Sequence, residues 1–272
     1  RLGGVMVKGT TLAPRRGNEG VRVTETPMGM LNCIGLENPG VEVFLKEILP
    51  RIEPYGMHVI VNISGSSAEA YGTLAKMLDV PGVAAIELNV SCPNVKDGGI
   101  LFGTDPEAAS SVVRAAKANT KKPVILKLSP NVTDIVQMAK AVEAAGADAV
   151  SLINTLLGME IDIHRWRPVL GNVTGGLSGA CVKPVAVRMV WQVAQAVRVP
   201  IIGMGGITSA KDAVEFFLAG ASAVAVGTAN FTDPTVTMRI CDGLNDYLEQ
   251  RGLSNIRELV GKANPDFLGE NT

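Results

Sequence analysis

AAGADAVSLIN, Ala144 to Asn154, and LAGASAVAVGT, Leu218 to Thr228, follow one pattern. Each opens on the last turn of a helical run. Each then passes a glycine, Gly146 or Gly220, where a helix terminus calls for a left-handed residue. A short apolar run follows and stops at polar or glycine residues. Working outward, apolar runs of strand length recur at Val5–Val7, His58–Ile63, Ala85–Val90, Val124–Leu128, Ala149–Ile153, Pro200–Gly203 and Ala223–Val226. Helical patterns separate most of them: Val41–Ile52, Ala68–Leu78, Pro106–Ala118, Asp134–Ala145, Val185–Val197 and Ala210–Leu218, with Val236 to Gln250 as the last. Asp105-Pro106 and Thr133 read as helix starts.

Strands alternating with helices specify a parallel sheet. Seven such strands could form an open doubly wound sheet, but nearly every one ends in a polar residue or a glycine. The expected fold is therefore an α/β (β/α)8 TIM barrel, which gathers all those ends into one site. Its first strand is expected before Arg1, because the chain opens in mid-pattern at Gly3-Gly4-Val5. With no linker or composition shift, residues 1–272 read as a single domain. Thr155 to Lys183 is too long for a plain connection and reads as a hairpin or lid; Ser178 reads there as a flexible or phosphate-near loop residue, with no strand before it.

Composition agrees with such a chain: 47% hydrophobic, only 4% aromatic, and rich in glycine for its turns. A net charge of −1 gives no electrostatic case for nucleic acid or an anionic membrane. Cys33, Cys92, Cys181 and Cys241 are scattered, with no CxxC pair, which argues against zinc, an iron–sulfur cluster or a disulfide framework and points to a reducing cytoplasm. No metal site is expected: His58 starts a strand, His164 lies in the long connection, and neither has ligand spacing.

The strand ends carry the candidate chemistry. Asn89-Val90-Ser91-Cys92-Pro93-Asn94 places a thiol and two carboxamides within six residues. Carboxamides suit a planar ligand with alternating N–H and C=O groups, and a thiol can move a proton. Equally, Cys92 fits a small buried hydrophobe and the asparagines fit turn formers. Gly205-Gly206 and Gly227-Thr228 end the last two strands, where barrels bind phosphate through backbone N–H groups. Lys127 ends an apolar strand and needs an anionic partner; Lys8 raises the same question. Asn32 to Gly40 is a polar, glycine-containing loop that suits a carboxylate or is an ordinary loop.

Taken together, VMVKGTT, NCIGLENPG, ELNVSCPNVKDGG, VILKLSPN, SLINT, GGLSG, PIIGMGGI and AVGTA resemble the class 1 dihydroorotate dehydrogenases, in particular the FMN-containing catalytic subunit of the NAD-linked subclass. The likeness covers essentially the whole chain. It implies an FMN (β/α)8 barrel that oxidises dihydroorotate to orotate in de novo pyrimidine biosynthesis. It makes Cys92 the base that takes the C5 proton while C6 gives a hydride to the flavin. Lys8, Asn32, Cys33, Ile34, Gly35, Leu36, Asn89, Asn94, Asn154 and Thr155 match substrate positions. Lys8, Gly9, Asn62, Asn89, Lys127, Ile153, Gly179, Gly205, Gly206, Gly227 and Thr228 match FMN positions, Lys127 stabilising charge at N1.

The subclass implies a partner subunit with FAD and a 2Fe–2S cluster that passes electrons to NAD, around a homodimer core of a heterotetramer. This sequence has neither the cysteine cluster nor the Rossmann glycines for those groups. The competing readings are a dihydropyrimidine dehydrogenase-like flavin barrel and a non-catalytic barrel that binds a phosphate ligand. The visible spectrum of the purified protein separates the last from the other two.

Overall fold

The computed structural model describes residues 2–91 and 102–264. Among them, seven strands carry the βα pattern: β1 (Gly4–Thr10), β2 (His58–Ile63), β3 (Val83–Asn89), β4 (Val124–Lys127), β5 (Ala149–Leu152), β6 (Ile201–Met204) and β7 (Ala223–Ala225). All seven expected strands are present, within a few residues of their expected bounds. The chain forms two compact units, one of residues 2–20 and 34–150, the other of residues 21–33 and 151 onward.

In the first unit, β1 pairs with β2, β2 with β3 and β3 with β4, all parallel. Side chains alternate across each strand. Val59, Val61 and Ile63 of β2, Ile86 and Leu88 of β3, and Val124 and Leu126 of β4 are all at most 1% exposed. Leu74, Ala75, Val112, Val113 and Ala116, from helices Ala68–Met77 and Pro106–Lys117, are likewise buried. Burying each such aliphatic side chain contributes about 1.5–3 kcal/mol. The helices start where short polar side chains cap them: Ser67 accepts from the Ala70 N–H and Asp105 from the Ala108 N–H. Helix Ile135–Ala144 is capped by Asp134, not Thr133, because the Asp134 carboxylate reaches the N–H groups of both Val136 and Gln137. The Val41–Ile52 run is helical but contains a π turn at Phe44–Ile48, where the Leu49 N–H donates to the Phe44 carbonyl. Pro50 follows, has no N–H to continue the regular ladder, and so widens the turn before it.

In the second unit, β6 pairs parallel with β7, and the Ile153 N–H donates to the Met204 carbonyl. Gly220 (φ 118) ends helix Ala210–Ala219 as its sequence context predicts. A four-stranded antiparallel sheet accompanies them, ordered Val23–Thr26, Gly29–Asn32, Thr174–Ser178, Leu156–Met159. A small hairpin pairs Ile161–Asp162 with Arg167–Pro168. The long connection is thus strand-built. Ser178 ends a strand and is not part of a loop, and the Val23–Asn32 hairpin was not expected from the sequence.

Candidate functional site

The strand register of the first unit determines which side chains meet. Asn62 is the partner of Glu87, Glu87 of Ile125 and Asn89 of Lys127. Partners share a face, and so do residues two apart on one strand. Asn62, Glu87, Asn89 and Lys127 therefore occupy the face opposite Ile86 and Leu88. The Asn62 Nδ2 donates to Glu87 Oε2. The same carboxylate oxygen lies 3.9 Å from Lys127 Nζ. Glu87 is only 1% exposed, so the anionic partner that Lys127 required is supplied by the protein. Gly9 of β1 is buried against this group: a Cβ there would lie 2.9 Å from Asn62 Oδ1. The Tyr71 hydroxyl donates to the Asn89 carbonyl at 2.7 Å, and the Ser91 N–H donates to Asn89 Oδ1. Lys8 is exposed at the end of β1. Cys92 and Asn94 lie outside the described residues.

Ile34, Gly35 and Leu36 form a loop shaped by Asn38, which is 6% exposed. Its Oδ1 accepts from the Thr11 and Gly40 N–H groups, and its Nδ2 donates to the Leu36 carbonyl. Gly35 (φ 77) and Leu36 (φ 58) are both left-handed; a Cβ on Gly35 would sit 2.6 Å from the Asn18 carboxamide. A left-handed leucine is uncommon and marks a loop held against local preference.

In the second unit, Asn32 donates to the Gly176 carbonyl, and buried Cys33 packs with Leu31 and Leu170 while its thiol donates to the Val21 carbonyl. Asn154 Oδ1 accepts from the Thr155 N–H, and Thr155 fills the space beside Gly176. Ile153 is buried. The glycines converge: a Cβ on Gly206 (φ 80) would lie 2.8 Å from Lys183 N and 2.9 Å from the Gly179 carbonyl oxygen. A Cβ on Gly205 would lie 3.0 Å from the Ala186 Cβ. Gly227 has open space around it, with no heavy atom within 4 Å of its ideal Cβ. Thr228 Oγ1 donates to Ser178 Oγ at 2.8 Å, so Ser178 joins the group.

Two further residues brace these glycines. Lys183 Nζ donates to Asp212 Oδ1 at 2.7 Å and to Glu215 Oε1 at 2.8 Å. Asp212 also accepts from the Thr208 N–H and hydroxyl and from the Ser209 hydroxyl. Burial alone would raise the Asp212 pKa; the hydrogen bonds from Lys183, Thr208 and Ser209 outweigh it and hold the carboxyl well below the usual range. The bonds to Asp212 and Glu215 raise Lys183 in turn. His58 and His164 are exposed, and the described residues contain no cluster able to hold a metal. Among them, no helix is long and apolar enough to cross a membrane.

Residues 1–248 match the family pattern described as dihydroorotate dehydrogenase. The chain belongs to the dihydroorotate dehydrogenase family. It is therefore an oxidoreductase, and its alternating strands and helices are those of the family's (β/α)8 barrel. Flavin dependence is general in the family. A Bacteroides fragilis protein named dihydroorotate dehydrogenase B (NAD(+)), catalytic subunit, is 58% identical over 262 residues, covering 96% of this chain and 86% of that protein. Proteins of the same name from Bacteroides thetaiotaomicron and Desulforamulus reducens are 57% and 58% identical, covering 96% and 97% of this chain and 86% and 87% of theirs.

Proposed function

We propose that this chain is the FMN-dependent catalytic subunit of an NAD-linked dihydroorotate dehydrogenase and oxidises dihydroorotate to orotate in pyrimidine biosynthesis. The observation that carries the reading is the polar face Asn62–Glu87–Asn89–Lys127, set into strands whose other face is wholly apolar. Such a face has no packing purpose, and two of its members are carboxamides suited to a ring bearing N–H and C=O groups. The glycines of the second unit fit a phosphate. Gly205 and Gly206 hold left-handed conformations, and Gly227 leaves its backbone open to close approach.

In this reading Gly205, Gly206, Gly227 and Thr228 hold the FMN phosphate, while Lys127, Asn62 and Asn89 face the ring. Gly179 and Ile153 complete the FMN set, and Lys8 and Gly9 serve it from β1. When bound, FMN supplies the acceptor for the C6 hydride. Lys127 steadies the ring edge that gains negative charge on reduction. Asn32, Asn89, Asn94, Asn154 and Thr155 orient the substrate, together with Lys8 and the Cys33 to Leu36 loop. Cys92 takes the C5 proton, which leaves the ring double bond of orotate. No histidine is placed to compete: both are exposed, and His58 sits at the amino end of its strand.

A separate electron-transfer subunit carrying FAD and a 2Fe–2S cluster completes the route to NAD, with two copies of this chain at the core of the assembly. The name "catalytic subunit" in the relatives supports a partner. The test of the chemistry is stopped-flow reduction of the bound FMN by dihydroorotate. Cys92→Ala should keep FMN and bind orotate, yet reduce the flavin roughly 10²–10⁴-fold more slowly, the usual share of a general base. The wild-type rate should climb with pH toward the ordinary thiol pKa of about 8.5. Near-normal reduction in Cys92→Ala would exclude the thiol as base.

A further inference from the structure

Glu87 is assigned no contact with substrate or FMN above, yet it is the most deeply buried charged side chain among the described residues. Burying a carboxylate is costly, and a buried ion pair is on balance close to neutral for stability, so packing does not account for it. Its geometry does. One oxygen, Oε2, accepts from Asn62 Nδ2 on the strand to one side and lies 3.9 Å from Lys127 Nζ on the strand to the other. The bond orients the Asn62 amide, whose own oxygen faces Gly9. Two of the residues assigned to the ring are thus set by a single carboxylate beside them.

We propose that Glu87 is a positioning residue that fixes Asn62 and Lys127 and tempers the charge of Lys127, so that the flavin meets an ion pair and not a bare cation. This rests on the FMN reading. A bare ammonium would favour the electron-rich reduced ring over the oxidised one more strongly than the pair does. The carboxylate therefore holds the flavin potential down, which keeps the reduced flavin a willing donor to the next carrier. No step of substrate oxidation passes through Glu87, and no proton transfer is assigned to it.

The test measures the midpoint potential and the dissociation of FMN in four loaded proteins: wild type, Glu87→Gln, Lys127→Met and the double variant. Glutamine keeps the shape and an acceptor for Asn62 and removes only the charge. Glu87→Gln should favour the reduced over the oxidised flavin by at least tenfold relative to wild type, which for two electrons is a rise of about 30 mV. Lys127→Met should move the potential the other way, and the double variant should lie above Lys127→Met. If Glu87→Gln does not fold, the double variant, which leaves no charge unpaired, is compared with Lys127→Met instead. A double variant that matches Lys127→Met, or that also fails to fold, would overturn the pairing. A Glu87→Gln protein with the wild-type potential and FMN affinity overturns the inference alone. A wild-type chain that takes up no FMN overturns the cofactor reading and the inference with it.

Discussion

Replacing Gly206 by alanine adds one methyl group in a place where two backbone atoms and a Cβ, none of which can swing aside, are in the way. The residue sits at φ 80, and its Cβ would lie 2.8 Å from Lys183 N and Cβ and 2.9 Å from the Gly179 carbonyl oxygen. A left-handed conformation costs a non-glycine residue roughly 1–2 kcal/mol. Forcing a methyl group against atoms that cannot rotate away adds about 1–3 kcal/mol. The expected loss is therefore about 2–5 kcal/mol, which a domain of ordinary stability, about 5–15 kcal/mol, survives at 25 °C. Gly227→Ala is the matched control. With nothing within 4 Å of its Cβ and no left-handed φ, it should change stability by at most about 0.5 kcal/mol. Urea unfolding of the FMN-free proteins measures both numbers, and fluorescence titration measures FMN affinity. Gly206→Ala should lose stability and FMN together. Gly227→Ala should lose at least tenfold in FMN affinity while unfolding like wild type, because only a bound phosphate makes that site crowded. A Gly206→Ala protein as stable as wild type would refute the steric argument. A Gly227→Ala protein with unchanged FMN affinity would remove the phosphate from the last strand end.

The Lys183–Asp212 pair predicts a pH signature. The Asp212 pKa is depressed on folding, so its contribution is present above the unfolded value of about 3.9 and fades as pH falls below it; Lys183 is raised, so its contribution is present below about 10.4 and fades above that. Asp212→Asn should cost about 2–3 kcal/mol at pH 7, with the deficit narrowing below pH ~4 in urea unfolding; a deficit independent of pH would mean that the charge is not what matters. Purified alone, the chain should reduce an artificial acceptor with dihydroorotate and use NAD poorly, and efficient NAD reduction by the homogeneous chain would count against a separate electron-transfer subunit.

The βα repeat was legible because β2, β3 and β4 bury a full apolar face, and helices such as Ala68–Met77, Pro106–Lys117 and Ala210–Ala219 begin on a capping side chain or end on a glycine. Of the antiparallel sheet only a hairpin within Thr155 to Lys183 was legible; its individual strands and the Val23–Asn32 pair were not. Thr174–Ser178 reads as TGGLS, a loop by composition, yet its glycines are there for space: a Cβ on Gly175 would lie 2.5 Å from Leu170 Cδ1, and one on Gly176 would lie 2.2 Å from Thr155 Oγ1. Crowding of that kind comes from how the strands fold back on one another and leaves no signal in the local composition. Asn38 and the Lys183–Asp212 pair were missed for the same reason. Glu87 is different. A lone acid at alternate spacing with Asn89 inside an otherwise apolar run was visible, and it answers the question that Lys127 posed.

The antiparallel sheet also bears on how the chain is made. Asn32 and its acceptor on Gly176 are 144 residues apart. At about 5–20 residues per second on the ribosome, strand Gly29–Asn32 is synthesised roughly 7–30 s before its inner neighbour exists. Until then the inner edge of the hairpin also has unpaired backbone groups, the kind of edge that invites pairing with another chain. Its strands are only four residues each, and the outer one carries Glu25 between two threonines. Shortness and charge suit a hairpin that must wait, and a pairing so distant in the chain is of the kind that forms slowly.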